Sequence, residues 1–202
     1  MLTDSRQCGF TLIELMVVLT IMTLLLLAVA PSFSSWVANA KVRSVAEEVA
    51  NGLRMAQAEA IRRNRPAVFV VTNLAPGLSQ TPAANGVNWY VQVLPLLGAS
   101  SQAATDPDYV QGSNYAKQSG VTIASTSPVL CIGSVGSVVA ISDTATNNVL
   151  GVACTAGAKT YTVSKSNADR ALKVMVSVGG QVRMCDPSKT LDASNLDGCP
   201  AS

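Results

Sequence analysis

From Leu15 to Ala30 every residue is apolar except Thr20 and Thr23, and no charge occurs between Glu14 and Lys41. A helix built from this run cannot be stable with its whole circumference in water. Taken as helix, Phe10 to Ala30 is about 21 residues and roughly 31 Å long, enough to cross the hydrocarbon core of a bilayer. A secretory signal peptide would carry a shorter apolar stretch followed by a small-residue cleavage site. Here helix-compatible sequence continues straight past the run instead. A plain membrane anchor fits the length but leaves Glu14 unexplained, because a carboxylate at the edge of an apolar helix is costly in lipid and usually has a partner.

Composition supports the membrane reading and narrows the chemistry. Of the 202 residues, 49% are hydrophobic and 13% are charged, about half the charge of an ordinary soluble domain. A net charge of +2 is too small for a chain that binds nucleic acid along its whole length. There is no histidine, which excludes Ser-His-Asp and Cys-His catalysis, histidine zinc sites and histidine proton relays. Aromatics at 4% are poor material for base-stacking platforms. The expectation is a protein that is not an enzyme and needs no cofactor or metal.

Beyond the apolar run, Pro31 is expected to kink or locally melt the helix by removing one backbone hydrogen bond. Helical signals then resume. Val42, Val45, Val49, Leu53, Ala56 and Ala60 recur at spacings of three and four, forming one apolar stripe, while Lys41, Arg43, Glu47, Glu48, Arg54 and Glu59 lie mostly off it. The helix should end near Asn64, because Pro66 disfavours helix in the residue before it. After Pro66 the pattern changes to short β-rich runs at 67–72, 89–97, 121–124, 129–132, 138–142, 149–153, 160–164 and 172–178. The last continues into a hairpin: Val174, Val176 and Val178 alternate with Met175 and Ser177, Gly179-Gly180 turns, and 181–185 returns. Stretches 74–88 and 98–120, rich in Ala, Ser, Gly, Pro, Asn and Gln, read as surface loops.

The residues MLTDSRQCGFTLIELMVVLTIM resemble a type IV prepilin leader: a short polar segment ending in Gly9, then Phe10, then Glu14 as the fifth residue after it. The resemblance implies cleavage between Gly9 and Phe10 by a membrane-embedded prepilin peptidase, which also methylates the new N-terminal Phe10. It further implies that Glu14 meets the amine of a neighbouring subunit, offsetting the desolvation of both charges and setting the register between helices.

Cleavage would remove Cys8 and leave Cys131, Cys154, Cys185 and Cys199, all on the far side of the membrane from the leader. That placement points to an oxidising periplasm or cell surface and two disulfides. Three pairings are open, and we favour Cys131–Cys154 with Cys185–Cys199, since sequence neighbours each close a local loop. A four-cysteine zinc site is the competing reading. No Cys-x-x-Cys pair is present, and the spacings do not suit a zinc ribbon.

The segment RSVAEEVANGLRMAQAEAIRRNRPAVFV resembles the GspH/FimT/FimU group of minor pilins and pseudopilins. This implies an α+β fold with a long N-terminal helix packed on a mostly antiparallel β domain. The organisation expected is a leader over 1–9, a transmembrane and amphipathic helix over 10–65, and a periplasmic β-rich domain over 66–202. The C-terminal GGQVRMCDPSKTLDASNLDGCP resembles the minor-pilin branch, in which two late cysteines frame a closing loop; type II secretion pseudopilins of the group generally lack that cysteine pair.

Remaining candidates divide between chemistry and structure. Arg62, Arg63 and Arg65 could contact anionic partners, but cations at a helix C-terminus also complement its dipole, which is the simpler reading. Lys173, Arg183 and Lys189 are candidates for DNA contact. Some FimT-like proteins use a Gly-Arg-x-Arg element there, and Gln181 replaces its first arginine here. Gly133-Ser-Val-Gly136 is too short for a phosphate loop and lacks its lysine. Asp106, Asp108, Asp186, Asp192 and Asp197 are expected in loops without the spacing of a calcium-binding loop.

These features together predict a minor type IV pilin in the bacterial inner membrane that is processed and then takes part in priming or capping a pilus. Its partners would be other minor and major pilins and the prepilin peptidase. The competing readings are a DNA-binding minor pilin for natural transformation, and a type II secretion pseudopilin.

Overall fold

A computed structural model describes residues 10–94, 108–115, 120–141 and 154–200, and the side chains among them except those of 28–32 and Asp108. The expected leader, with Gly9, lies outside these residues, as do Asp106 and the strand expected over 149–153.

One helix, α1, runs from Leu12 to Arg63. Thr11 caps it, its backbone extended and its Oγ1 accepting from Glu14 N at 3.3 Å, so one orphan N–H of the first turn is satisfied. The other end stops where the sequence indicated: Asn64 adopts the left-handed conformation at φ 48° and its N–H closes back onto Ala60 O and Ile61 O. Helical structure is continuous through Pro31, which corrects the expectation of local melting. A proline removes its own N–H alone, and the turns on either side keep theirs.

The stripe read from spacing is the buried face of α1. Val42, Val45, Val49, Leu53, Ala56 and Ala60 are all buried, packed against a two-sheet domain. The first sheet has the order β4-β3-β1-β6, made of β1 (Ala67–Thr72), β3 (Asn88–Val93), β4 (Asp108–Asn114) and β6 (Val129–Ile132). The second has the order β10-β9-β8-β7-β5-β2, made of β2 (Asn85–Gly86), β5 (Val121–Ser125), β7 (Lys159–Lys165), β8 (Leu172–Val176), β9 (Val182–Thr190) and β10 (Gly198–Cys199). Pairing is antiparallel except between β9 and β10.

Both faces of β1 are covered. Phe69 and Val71 join the helix side of the core with Trp89, Val91, Ile123, Tyr161, Val163 and Val174. Val68 and Val70 face a second cluster with Tyr90, Leu94, Val129 and Cys131. Phe69 stacks on Trp89 at 5.4 Å and meets the edge of Tyr161 at 5.3 Å. Gly52 of α1 lies directly over Trp89, where a Cβ would stand 2.6 Å from Cζ3. The helix therefore needs a residue without a side chain there to approach the first sheet this closely.

Several expected elements changed. The stretch 98–120 contains β4, an edge strand recruited by backbone pairing from Asn88–Asn114 to Val93–Asp108; its polar composition hid it because an edge strand need not bury a face. The loop over 74–88 contains the two-residue β2, paired with Ile123 and Ala124 of β5. Over 138–141, the described part of the run expected at 138–142, the residues form no strand. The chain there makes single bridges, Ile132 with Val138 and Ile141 with Cys154. Asp186 sits within β9, and Asp108 begins β4. The hairpin at Gly179-Gly180 is present, β8 pairing β9 from Val176–Val182 to Lys173–Cys185, with Gly180 at φ +85°.

Cys131 joins Cys154 at a Cα separation of 5.8 Å, and Cys185 joins Cys199 at 5.0 Å. The first bridge closes the second core cluster, and the second ties β10 to β9. Replacing both Cys185 and Cys199 with serine is expected to destabilise the domain by about 2–4 kcal/mol. Thermal unfolding of the oxidised wild type against the double variant measures it, and an unchanged midpoint would exclude this contribution.

Candidate functional site

Among the described residues, the apolar side chains of the first half of α1 are not covered by the β domain. Phe10 is 84% exposed, and the large apolar residues from Leu12 to Leu27 are all exposed. Among the described side chains the first buried one on the helix is Ala38, 2% exposed, where the β domain covers it. Asn39 and Asp169 lock that level with two hydrogen bonds, Asn39 Nδ2 donating to Asp169 Oδ2 at 2.7 Å and Asp169 N to Asn39 Oδ1 at 2.9 Å. At the far end, Gln57 Nε2 donates to Gly136 O at 2.9 Å, and Val138 N donates to Val178 O. A bare apolar half and a clamped half thus share one helix. Among the described residues, no helix is long and apolar enough to cross a membrane. The run with described side chains stops at Leu27, short of the full Phe10–Ala30 segment.

Glu14 sits in the first turn, exposed among apolar neighbours. A carboxylate there faces the positive end of the helix dipole. Its side chain is not the one that caps the helix; Thr11 accepts from the Glu14 backbone N–H. The Thr-x-x-Glu spacing over 11–14 is itself a capping signature in the sequence.

The basic residues at the other end are engaged locally. Arg62 Nη2 and Arg63 Nε lie 2.6 and 2.8 Å from Glu59 Oε2, and these two guanidiniums, Arg62 first, hold the Glu59 carboxyl below its usual range. Arg65 Nε donates to Leu94 O at 3.0 Å, fastening the helix end to the exit of β3. Their role is to terminate and anchor α1.

The candidates for DNA contact are dispersed in their chemistry. Lys173 and Arg183 point to the outer face of the second sheet, opposite the core positions Val174 and Val176. Arg183 Nη2 donates to Leu196 O at 2.9 Å, and Lys189 Nζ pairs with Asp197 Oδ2 at 2.7 Å. Two of these cations therefore hold the closing loop 191–199 in place, a role that the spacing of Arg183 and Lys189 did not disclose. Lys173 instead borders a shallow hollow with Asn85, Thr160 and Thr162. Among the described residues, no group of three Cys, Asp or Glu side chains is placed to hold a metal ion.

Asp186 is the buried acid of this region. Its Oδ1 accepts from Ser188 N and Oγ at 2.9 and 2.6 Å, and Oδ2 lies 3.1 Å from Arg170 Nη1. Burial pushes its pKa up, but the Ser188 hydroxyl and N–H and the Arg170 charge outweigh it, leaving the carboxyl below its ordinary value. A depressed folded-state pKa contributes stability above the unfolded value, and that stability is lost as pH falls through the folded one. Asp186→Asn is therefore expected to be less stable than wild type at neutral pH and to lose less on acidification below about pH 4. Unfolding midpoints taken from neutral to acid pH check this, and parallel profiles for the two proteins would refute it.

Glu48 lies off the apolar stripe by its spacing, yet Ser113 Oγ donates to its Oε2 at 3.0 Å and Tyr115 OH donates to the same oxygen. Trp89 Nε1 in turn donates to Tyr115 OH at 3.4 Å. Burial first, and then the Glu48 carboxylate, raise the Tyr115 phenol above its usual range. This links α1, β3 and the end of β4. Nothing in the local sequence signals it, because Tyr115 lies far away in the stretch read as loop.

The type II transport protein GspH model matches residues 45–180, from the buried half of α1 to the β8–β9 turn. The chain belongs to the GspH family. The prokaryotic N-terminal methylation motif matches residues 4–30, which covers the Gly9–Phe10 junction and Glu14. The fold is similar to the crystal structure of the type IV minor pilin FimU of Pseudomonas aeruginosa, with a TM-score of 0.50 and 15% identity over 74% of this chain and 94% of that one. The minor pseudopilin EpsH from the Type 2 Secretion System of Vibrio cholerae gives a TM-score of 0.44 and 13% identity over 75% and 98%. No curated protein sequence matches the chain. As a GspH-family chain with the methylation motif, the protein is a minor pilin or pseudopilin of the FimT/FimU–GspH type, processed at the inner membrane. Its families are structural pilins rather than enzymes, and membership implies contact with other pilins or pseudopilins and with the prepilin peptidase.

Proposed function

We propose that this protein is a minor type IV pilin that spans the inner membrane through Phe10–Ala30, is cleaved after Gly9, and then primes or caps a pilus together with other minor pilins. The observation that carries the reading is the division of α1: a half with exposed apolar side chains up to Leu27 and a half clamped into the β domain from Ala38. An exposed apolar helix of this kind must bury its surface in lipid, or against like helices as subunits leave the bilayer. The β domain, with its β9–β10 closing loop, would present the surface that distinguishes this subunit from its partners. The Cys185–Cys199 bridge around that loop favours the pilus branch over a secretion pseudopilin.

Deletion of the gene is expected to reduce sheared surface pili sharply, with recovery from a plasmid copy. Normal piliation in the deletion strain would move the function to secretion, where export of extracellular proteins would fail instead. DNA uptake is the weaker alternative, since Arg183 and Lys189 are already engaged with the closing loop. It predicts salt-dependent DNA binding that falls in Arg183→Gln.

A further inference from the structure

We propose that Phe33 and Trp36 are an interfacial anchor that seats the protein at the outer headgroup layer of the inner membrane, with Arg170 facing the phosphates of anionic phospholipids. This rests on the membrane-spanning reading above and adds to it a depth and a lipid contact. Helical structure is unbroken from Leu12, so at about 1.5 Å per residue Phe33 lies roughly 32 Å and Trp36 roughly 36 Å along the axis from it. The hydrocarbon core is about 30 Å thick, and the bilayer with its headgroups is about 40–45 Å. Both rings therefore fall just past the hydrocarbon, where the amphipathic indole is favoured.

Their surroundings agree. Phe33 is 61% and Trp36 65% exposed, with ring centroids 6.0 Å apart, an unusual surface cost for two large aromatics in a protein that buries its other tryptophan. A groove of about 310 Å³ opens beside Trp36, lined also by Asn39, Arg43 and Arg170. Positions 36, 39 and 43 recur on one helix face, and the Asn39–Asp169 clamp brings the loop bearing Arg170 to the same height. Arg43 pairs with Glu47 as an exposed ion pair, and Arg170 gives Nη1 to Asp186. Arg43, about 10 Å further along the axis than Trp36 and turned to Glu47, stands clear of the headgroups, whereas the Arg170 guanidinium keeps Nη1 on the buried Asp186 and has further N–H donors for a phosphate.

The test uses the full chain in vesicles of phosphatidylethanolamine and phosphatidylglycerol whose acyl chains are brominated either next to the headgroup or near the bilayer centre. Flotation establishes that the chain is in the membrane. Trp89 is buried in the β domain and out of reach of the bromines, so quenched emission belongs to Trp36. The expected result is strong quenching from bromines beside the headgroup, little from the centre, loss of the quenched component in Trp36→Phe, and weaker quenching in Arg170→Gln. A chain that floats with Trp36 unquenched, or quenched most from the centre, overturns the anchor and leaves the membrane-spanning reading standing. A chain that does not float overturns both. An unchanged profile in Arg170→Gln overturns the phosphate contact.

Discussion

Glu14→Ala is expected to be processed and inserted like wild type, yet to be absent from the sheared pilus fraction, and to leave a deletion strain as poorly piliated as no gene at all. The helix start gives this prediction its sharpness. Thr11 caps α1 through the Glu14 backbone N–H, which alanine retains, and alanine is the best helix former. A failure of the variant would therefore be a failure of assembly and not of the helix. Removing the carboxylate should even ease insertion, because an ionised side chain in a membrane helix costs on the order of 2.5–3.5 kcal/mol at the bilayer centre and less toward its edge. The loss would instead leave a neighbouring subunit's cationic N-terminus without its counter-charge in an apolar surrounding. Immunoblots of membrane and sheared fractions measure both halves of the prediction. Normal incorporation of Glu14→Ala would remove Glu14 from the assembly mechanism.

Among the described glycines of the β domain, Gly180→Ala is expected to be the most damaging change to alanine. Gly180 is at φ +85°, where an L side chain is strained, and its Cβ would stand 2.1 Å from Gly136 O and 2.6 Å from Gln57 Nε2. Backbone cannot retreat as a flexible side chain can. Left-handed strain of about 1–2 kcal/mol adds to an overpacking cost of about 1–3 kcal/mol, and the Gln57–Gly136 hydrogen bond between α1 and the 133–136 turn is displaced as well. Gly157→Ala is the control, since Gly157 also has a positive φ, +117°, but nothing lies within 4 Å of its would-be Cβ. Thermal unfolding of the two variants in detergent should show a drop for Gly180→Ala well beyond that for Gly157→Ala. Equal midpoints would mean that the close approach to Gly136 carries no weight.

What could be read in the sequence was local or periodic. The stripe from Val42 to Ala60 is legible because a helix packed on a sheet must repeat its apolar residues at three and four. The β8–β9 hairpin is legible because Gly179-Gly180 and the alternating valines act within a few residues. The disulfide partners are sequence neighbours and needed no knowledge of the fold. What escaped depends on distant backbone. β4 is a strand because Asn88–Val93 offers it hydrogen bonds, not because of its own side chains. Asp186 reads as a loop aspartate beside Pro187, yet β9 runs on to Thr190 and is paired there by β10. Arg183 and Lys189 have the composition of a nucleic-acid contact, and only the fold of the closing loop turns them toward Leu196 O and Asp197.

The continuity of α1 has a mechanical side. A helix of 52 residues is a rod about 78 Å long at 1.5 Å per residue, held to the β domain near both ends of its covered half by Asn39–Asp169 and Gln57–Gly136. A pull along its axis does not stretch a linker, because none separates the apolar half from the domain. Load applied to the lower half is carried in shear by the interface beneath Val42 to Ala60, spread over many side chains rather than concentrated on one bond. Displacement of the rod by one helical turn lifts the whole domain by about 5.4 Å, with no slack to take up first.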